Sequence, residues 1–573
     1  PVSKDRPISY VVRGNKLTVK NPIFYRFKTV SGDCGLPVAI KDPLLRKEKI
    51  FGLHVSGSPS MGVGASIPLT LCKFDAICEH FSKSYDLIEA QYKTEARTIL
   101  DMVKDEKNWN DLFAVPEELE VPGKVNLGYL EPPSVPVKTS IVPSPLFKKL
   151  DFEPKTKPAW LRPFQKNGET IDPNAIATTK YHHSVEKLDL EVLDACKDSV
   201  TNIVLNGPMI ADDERMGRRV LSFEEAVEGI AGVDGFDGIP RKTSAGYPRC
   251  KYVDNKGKRD FFGDCGDYEF DSAKAGELRD SVESVIASAK RGIRGNHVFL
   301  DFPKDERRPK AKVDSGKTRK ISACPIDLAI CIRQYFGCFV QFFMKNRIFN
   351  QSAVGVNVFD KQWETIAEYL GTDARIIAGD FSNYDGKLPY AVMVRFLDTV
   401  TDFYGDRGSE SERVRDVLFQ ELVNSKHIMN GAVYEWVGSN ASGNPLTTVL
   451  NSWCNLVLLR YATLKCVNKC NLRDARPFLK SLDAHVRYMV YGDDNLISVD
   501  RASEYAPKLT QNAFTRAFEE MGLEYTDENK TGGEVSQDRS IEDVSFLKRK
   551  WARTSVTPMR CYLSPLDINT IME

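Results

Sequence analysis

Two adjacent aspartates, Asp493 and Asp494, sit inside RYMVYGDDNLISV (487–499), a run that otherwise reads as buried strand. A buried ionised carboxylate is costly unless something compensates it, and two side by side also repel. The pair therefore needs a cation. Successive side chains of a straight strand face opposite sides of a sheet, so two acids serving one site imply a turn. Gly492 and Asn495 flank the pair and suit a tight hairpin. The expectation is a strand over 486–491, a turn, and a strand over 496–499, with the carboxylates at the tip. A solvated turn explains GDD alone equally well, so other segments must decide.

A second acidic segment is AGDFSNYDGKLP, 378–389. Asp380 ends the apolar stretch RIIAGDF, which reads as a strand, and Asp385 follows where a helix can begin. Three carboxylates at two strand ends suit Mg²⁺, which prefers oxygen ligands and binds through a few carboxylates plus substrate phosphates. Asp380 and Asp493 are far apart in sequence, and only a fold can join them. KDERRPKAKVDSGKTRK (304–320) adds a net charge of plus five, a plausible polyphosphate site. Its SGKT resembles a phosphate-binding loop, but Ala311 stands where that motif needs glycine. SNASGNPLTTVLNSW (439–453) runs small polar residues into a helix bearing Thr447, Thr448 and Asn451. Such a loop admits a nucleic-acid backbone, and Asn451 can offer a ribose both a donor and an acceptor.

The order of these segments, followed by Lys530 in TDENK and FLKR at 546–549, resembles the RNA-dependent RNA polymerases of picorna-like positive-strand RNA viruses, of the dicistrovirus or iflavirus kind. The match covers about 300–550, and TSAGYP (243–248) resembles that family's fingers. The resemblance implies an α+β right hand of fingers, palm and thumb. It gives Asp380, Asp493 and Asp494 as catalytic metal ligands for Mg²⁺, with Mn²⁺ as a substitute, and Lys530 as general acid. It places Lys304, Arg308, Lys312, Lys317 and Arg319 on the triphosphate. It also puts Asp385, Ser442, Thr447 and Asn451 at the nucleotide, and Phe546, Leu547, Lys548 and Arg549 in the primer grip. The implied partners are RNA template and primer, nucleoside triphosphates and other viral replication proteins. The implied location is the host cytoplasm, at membrane-associated replication sites.

At the front, SGDCGLPV (31–38) and GLHVSGS (52–58) resemble the C-terminal part of a chymotrypsin-like cysteine protease. Cys34 is then the nucleophile and His54 a specificity-pocket residue. The catalytic base is missing, since residues 1–33 contain no histidine. Only 24 residues follow Arg549, too few for a full thumb. The expectation is a polyprotein fragment, cut inside both protease and thumb. Its expected divisions are a partial all-β barrel at 1–75, a helical junction at 76–115, a proline-rich extended segment at 116–175, fingers and palm at 176–540, and motif E with the start of the thumb at 541–573. Gln91–Tyr92 is the expected protease–polymerase junction.

Composition bears on the rivals. Lys+Arg and Asp+Glu are equal at 79 each, so any polyanion site must be local. Thirteen cysteines without a repeating framework fit a reducing, intracellular setting. Cys72, Cys78 and His80, or Cys466 and Cys470, lack the second half of a structural zinc site. The apolar stretch 326–344 carries Asp327 and Arg333 and reads as a packed helix rather than a membrane span. Two alternatives stay open: a polyprotein-processing cysteine endopeptidase as the main activity, which leaves 175–573 unexplained, and a reverse transcriptase, which would not be expected to pair Asp385 with Asn451.

Overall fold

Four strands from distant parts of the chain close into the antiparallel sheet that carries the acidic hairpin: Val486–Tyr491, Asp494–Val499, Arg375–Phe381 and Tyr525–Asp527, in that order. The computed structural model describes the strands within residues 8–68 and, apart from short gaps, residues 124–572. The first three strands of this sheet are almost continuously buried. That is the pattern of a sheet covered on both faces. One face packs on an apolar cluster that includes Trp363, Ile366, Met489, Leu496, Phe546 and Trp551. Helices Thr447–Cys466 and Gln511–Glu520 pack against strands of the same sheet. Thr447–Cys466 is buried nearly all round, so its polar residues need internal partners.

A second sheet, of five strands, runs Lys320–Ala323, Val298–Pro303, Lys426–Met429, Ala432–Trp436 and Lys124–Tyr129. The last comes from the proline-rich region and lies at the sheet edge, as proline density favours. Beneath this sheet Asp301 is fully buried. It accepts from Lys320 Nζ at 2.6 Å and from the Tyr434 hydroxyl, and lies 2.8 Å from His427 Nδ1. His427 Nε2 is in turn 2.8 Å from Ser425 Oγ. Serine, histidine and aspartate thus stand in the order of a hydrolase triad, but all three are buried at 2% exposure or less, so no substrate reaches them. The group braces four strands.

Helix Ile326–Lys345 is long and apolar enough to cross a membrane, and it is buried in the protein. Its polar Gln334 and Gln341 bond to backbone carbonyls of Leu221 and Asp234. Helix Gln511–Glu520 starts only past Pro507, which cannot continue a helix, and residues 501–508 form turns.

Residues 1–105 and 106–573 are separate units. In the first, Ile23–Arg26, Val63–Pro68, Lys49–Ser58 and Pro37–Ile40 form an antiparallel sheet in that order, and Ile8–Val12 pairs with Asn15–Val19. His54 lies on the third of the sheet's strands, opposite Ser66. Cys34, Cys72, Cys78, His80 and the Gln91–Tyr92 bond lie outside the described residues.

His297 shows how buried charge is handled. Burial alone would push it down, but the Glu421 and Asp327 carboxylates outweigh this and raise it to about 9. Glu421 is held below its ordinary range: burial opposes this, and His297 outweighs it. A raised histidine contributes in full below its unfolded value near 6.5, and that contribution drains as pH rises to about 9. The Glu421 contribution is lost instead on acidification below about 4.5. The stability advantage of the native protein over a His297→Gln/Glu421→Gln double variant, measured by urea unfolding, should therefore shrink between pH 6.5 and 9. A constant advantage across that range contradicts the pairing.

Candidate active site

The acidic hairpin is tighter than the sequence suggests. Tyr491 pairs directly with Asp494, leaving only Gly492 and Asp493 in the turn. Gly492 has φ +59° and Asp493 does not share the positive φ, the II′ pattern that takes glycine first. Asp493 is thus at the tip, while Asp494 begins the strand. Helix Thr447–Cys466 holds this tip from below. Ser452 Oγ accepts from Gly492 N at 2.8 Å, and Asn455 Nδ2 donates to the carbonyls of Gly492 at 2.9 Å and Asp493 at 3.3 Å. Sequence reasoning missed both residues; their signal was two amphipathic-helix positions, 452 and 455, that stayed polar inside an apolar helix.

Asp380 is the last residue but one of the neighbouring strand, one past the Gly379–Asn495 pair, which puts it beside Asp494. Burial, then the Asp380 charge, pushes Asp493 up to about 6. Burial, then Asp493 and Asp380, pushes Asp494 up to about 7. Lys530 Nζ lies 2.7 Å from Asp380 Oδ2, an ammonium standing where the carboxylates call for a cation. Among the described residues no three His, Cys, Asp or Glu side chains are closed on a common centre. Even so, the donor set fits a hard divalent ion: three oxygen-bearing acids, two of them driven toward protonation by burial and mutual repulsion.

The basic segment faces this cluster. Burial and the nearby Arg308 and Lys530 charges lower Lys312, while Asp380 acts on it in the opposite sense. Arg319 is raised, first by its bond to Glu306 and also by Asp493 and Asp385. Glu306 organises the group: Arg319 Nε donates to it at 2.6 Å, and Arg308 and Lys304 lie 3.4 and 3.8 Å away. Lys317 is tied in by its backbone, which donates to the Lys312 carbonyl at 2.9 Å. Glu306 too was not anticipated, since an acid within a basic run reads as incidental.

Asp385 and Asn451, 66 positions apart, meet: Asn451 Nδ2 donates to Asp385 Oδ1 at 2.6 Å. Gly443 backs onto Ser322, where an added Cβ would come within 2.6 Å of the carbonyl oxygen. Ser442 Oγ is buried and has no hydrogen-bond partner among the described residues. The Thr447 hydroxyl is engaged, donating to the Ala441 carbonyl at 3.1 Å, so it shapes the loop.

Phe546–Arg549 forms a two-residue hairpin with reciprocal backbone bonds at 2.9 Å. Leu547 and Lys548 both have positive φ, +52° and +60°. Phe546 is buried on Trp363, Arg549 lies over Phe359, and the Lys548 charge acts on Asp494.

An aspartate near a strand end, an acidic hairpin tip, a facing basic segment and the Asp385–Asn451 pair thus stand together. Residues 147–573 match the family model "Viral RNA-dependent RNA polymerase", and the chain belongs to that family. It is 34% identical to the replicase polyproteins of acute bee paralysis virus and of Drosophila C virus, over 96% of its length in each case. It covers 28% and 31% of those polyproteins, so it spans less than a third of them. The cricket paralysis virus replicase polyprotein is 32% identical over a similar span. Among solved structures, "Sicinivirus 3Dpol RNA dependent RNA polymerase" shares the fold, with TM-score 0.62, 22% identity, and coverage of 78% of this chain and 85% of that one. The matches leave an endopeptidase main activity without support.

The 547–548 turn supplies a test. Lysine at φ +60° is strained by on the order of 1 kcal/mol, which glycine relieves. Lys548→Gly should therefore raise the melting temperature by about one degree while lowering nucleotide incorporation. A lower melting temperature would count against stored strain there.

Proposed function

We propose that this chain carries out RNA-templated nucleotidyl transfer in viral RNA replication, with RNA template and primer and nucleoside triphosphates as substrates. The observation that carries the reading is convergence: Asp380, Asp493 and Asp494 gather at adjoining strand ends, with Lys312 and Arg319 facing them and the Asp385–Asn451 pair alongside. Asp380, Asp493 and Asp494 would hold Mg²⁺, or Mn²⁺ in its place. Such ions, when bound, acidify a primer 3′-hydroxyl and neutralise charge on the departing pyrophosphate.

The chain's own residues do the rest. Glu306 fans Arg319, Arg308 and Lys304 into a cationic surface for a triphosphate, and charge-assisted bonds to phosphate are the strong kind. Lys312 and Lys317 extend it. Lys530 is within reach of both Asp380 and the phosphate surface, placed to give a proton to pyrophosphate as it leaves. Asp385 and Asn451, with the orphan Ser442 hydroxyl, form a polar pocket for a ribose 2′-hydroxyl. Pairing of those two side chains favours this reading over a reverse transcriptase. Phe546, Leu547, Lys548 and Arg549 support the primer end.

The domain divisions drawn from the sequence belong to this proposal, as do a partial cysteine-protease barrel ahead of the polymerase, cleavage at Gln91–Tyr92, other replication proteins as partners, and action in host cytoplasm at membrane-associated sites. The antiparallel strands of residues 8–68 support the barrel.

Asp493→Ala in the full-length polymerase should reduce incorporation on a primed RNA by at least about a hundredfold, the scale of losing one preorganised charge-stabilising group. Substantial divalent-dependent synthesis by that variant overturns the metal assignment. Asn451→Ala should lower the ratio of kcat/KM for a ribonucleotide over its 2′-deoxy counterpart by at least about tenfold. An unchanged ratio removes the pocket from sugar selection.

A further inference from the structure

Asn440 and Asn444 extend the Asp385–Asn451 pair into an unbroken hydrogen-bonded line of four side chains. Asn440 Nδ2 donates to Asn451 Oδ1 at 2.8 Å. Asn444 Nδ2 donates to Asn440 Oδ1 at 3.1 Å and to the Ala441 carbonyl at 2.7 Å. The Leu446 backbone N–H donates to Asn444 Oδ1 at 2.8 Å. Asn440, Asn444 and Asn451 are all at least nine-tenths buried, so water does not stand in for a lost partner.

The direction of this line is not free. A backbone N–H can only donate and a backbone carbonyl can only accept. Leu446 therefore demands the oxygen of Asn444, and Ala441 demands its amide nitrogen. With Asn444 so turned, its N–H faces Asn440 and requires that residue's oxygen. The nitrogen of Asn440 must then point to Asn451 and require its oxygen. What remains of Asn451 is its NH₂ group, which faces a carboxylate that only accepts. Asn440 also ties the two ends together, since its own backbone N–H donates to the Asp385 carbonyl at 3.1 Å.

We infer that Asn440 and Asn444 are positioning residues for sugar selection, which fix the orientation of the Asn451 amide through a one-way hydrogen-bond line beginning at the backbone of the 439–446 loop. Turned the right way, Asn451 spends one amide hydrogen on Asp385 and keeps the second for a sugar hydroxyl. Turned over, its oxygen meets the Asp385 carboxylate and its nitrogen meets the nitrogen of Asn440, so both contacts become repulsive. The line also joins sugar selection to the conformation of the loop: a nucleotide that shifts residues 441–446 disturbs the pocket without touching it. This inference rests on the proposed role of Asp385 and Asn451.

The test uses variants that reverse the line without shortening a side chain. In Asn444→Asp one carboxylate oxygen still accepts from Leu446, but the other confronts Asn440 Oδ1. Asn440 must turn, and Asn451 must turn after it. In Asn440→Asp the conflict falls directly on Asn451. The readout is the ratio of kcat/KM for a ribonucleoside triphosphate over its 2′-deoxy counterpart on a primed RNA, alongside melting temperature. Both variants should lower the ratio by roughly tenfold, through loss of ribonucleotide efficiency, although residue 444 has no bond to Asn451. Where an aspartate variant does not fold, Asn444→Ala and Asn440→Ala, which remove the directional cue, should lower it by a few-fold. Unchanged ratios in folded variants overturn the line while Asn451→Ala still lowers its own ratio. If Asn451→Ala also leaves the ratio unchanged, the pocket itself is wrong.

Discussion

Negative charge concentrated where water is scarce governs the architecture. Asp493 and Asp494 are pushed up to about 6 and about 7 because burial and each other's company, with Asp380, make ionisation unfavourable. A folded protein tolerates such a cluster only where rigid elements force it and a cation answers it. The forcing comes from a sheet buried on both faces and from a helix whose Ser452 and Asn455 hold the hairpin turn by its backbone. The answer comes in part from Lys530 and from the basic segment opposite.

One helix connects most of these requirements. Thr447–Cys466 presents Asn451 to Asp385, Ser452 and Asn455 to the acidic tip, and Arg460 to Gln351 and Ser199. Spacing along a helix thereby sets the separation of the acidic tip from the Asp385–Asn451 pair, more firmly than a loop would. The second sheet does the same for the basic segment. Lys320, next to Arg319, is anchored on buried Asp301, so the cationic surface starts from a fixed point.

Much of the site was legible because its chemistry is written in residue types that are costly to bury. The GDD tip and the strand that carries Asp380 follow from charge set in apolar runs, whereas the pairing of Asp385 with Asn451 was expected only from the family resemblance. The rest depends on tertiary direction, which residue type does not carry. Glu306 reads as an incidental acid until three cations are seen around it. Asn440 and Asn444 read as loop residues until their bonds impose an order. Leu547 and Lys548 occupy a turn that local preference would give to asparagine and glycine.

The central claim is that Asp380, Asp493 and Asp494 together hold divalent ions for chemistry on a nucleotide. The most direct measurement is titration of Mn²⁺ into the full-length protein, followed by electron paramagnetic resonance, with and without a nucleoside triphosphate. The account predicts that Mn²⁺ binds more tightly when the triphosphate is present, and that Asp380→Asn or Asp493→Asn removes this protein-dependent binding while the basic segment still retains the nucleotide. Equal Mn²⁺ binding by the native protein and both variants would contradict it.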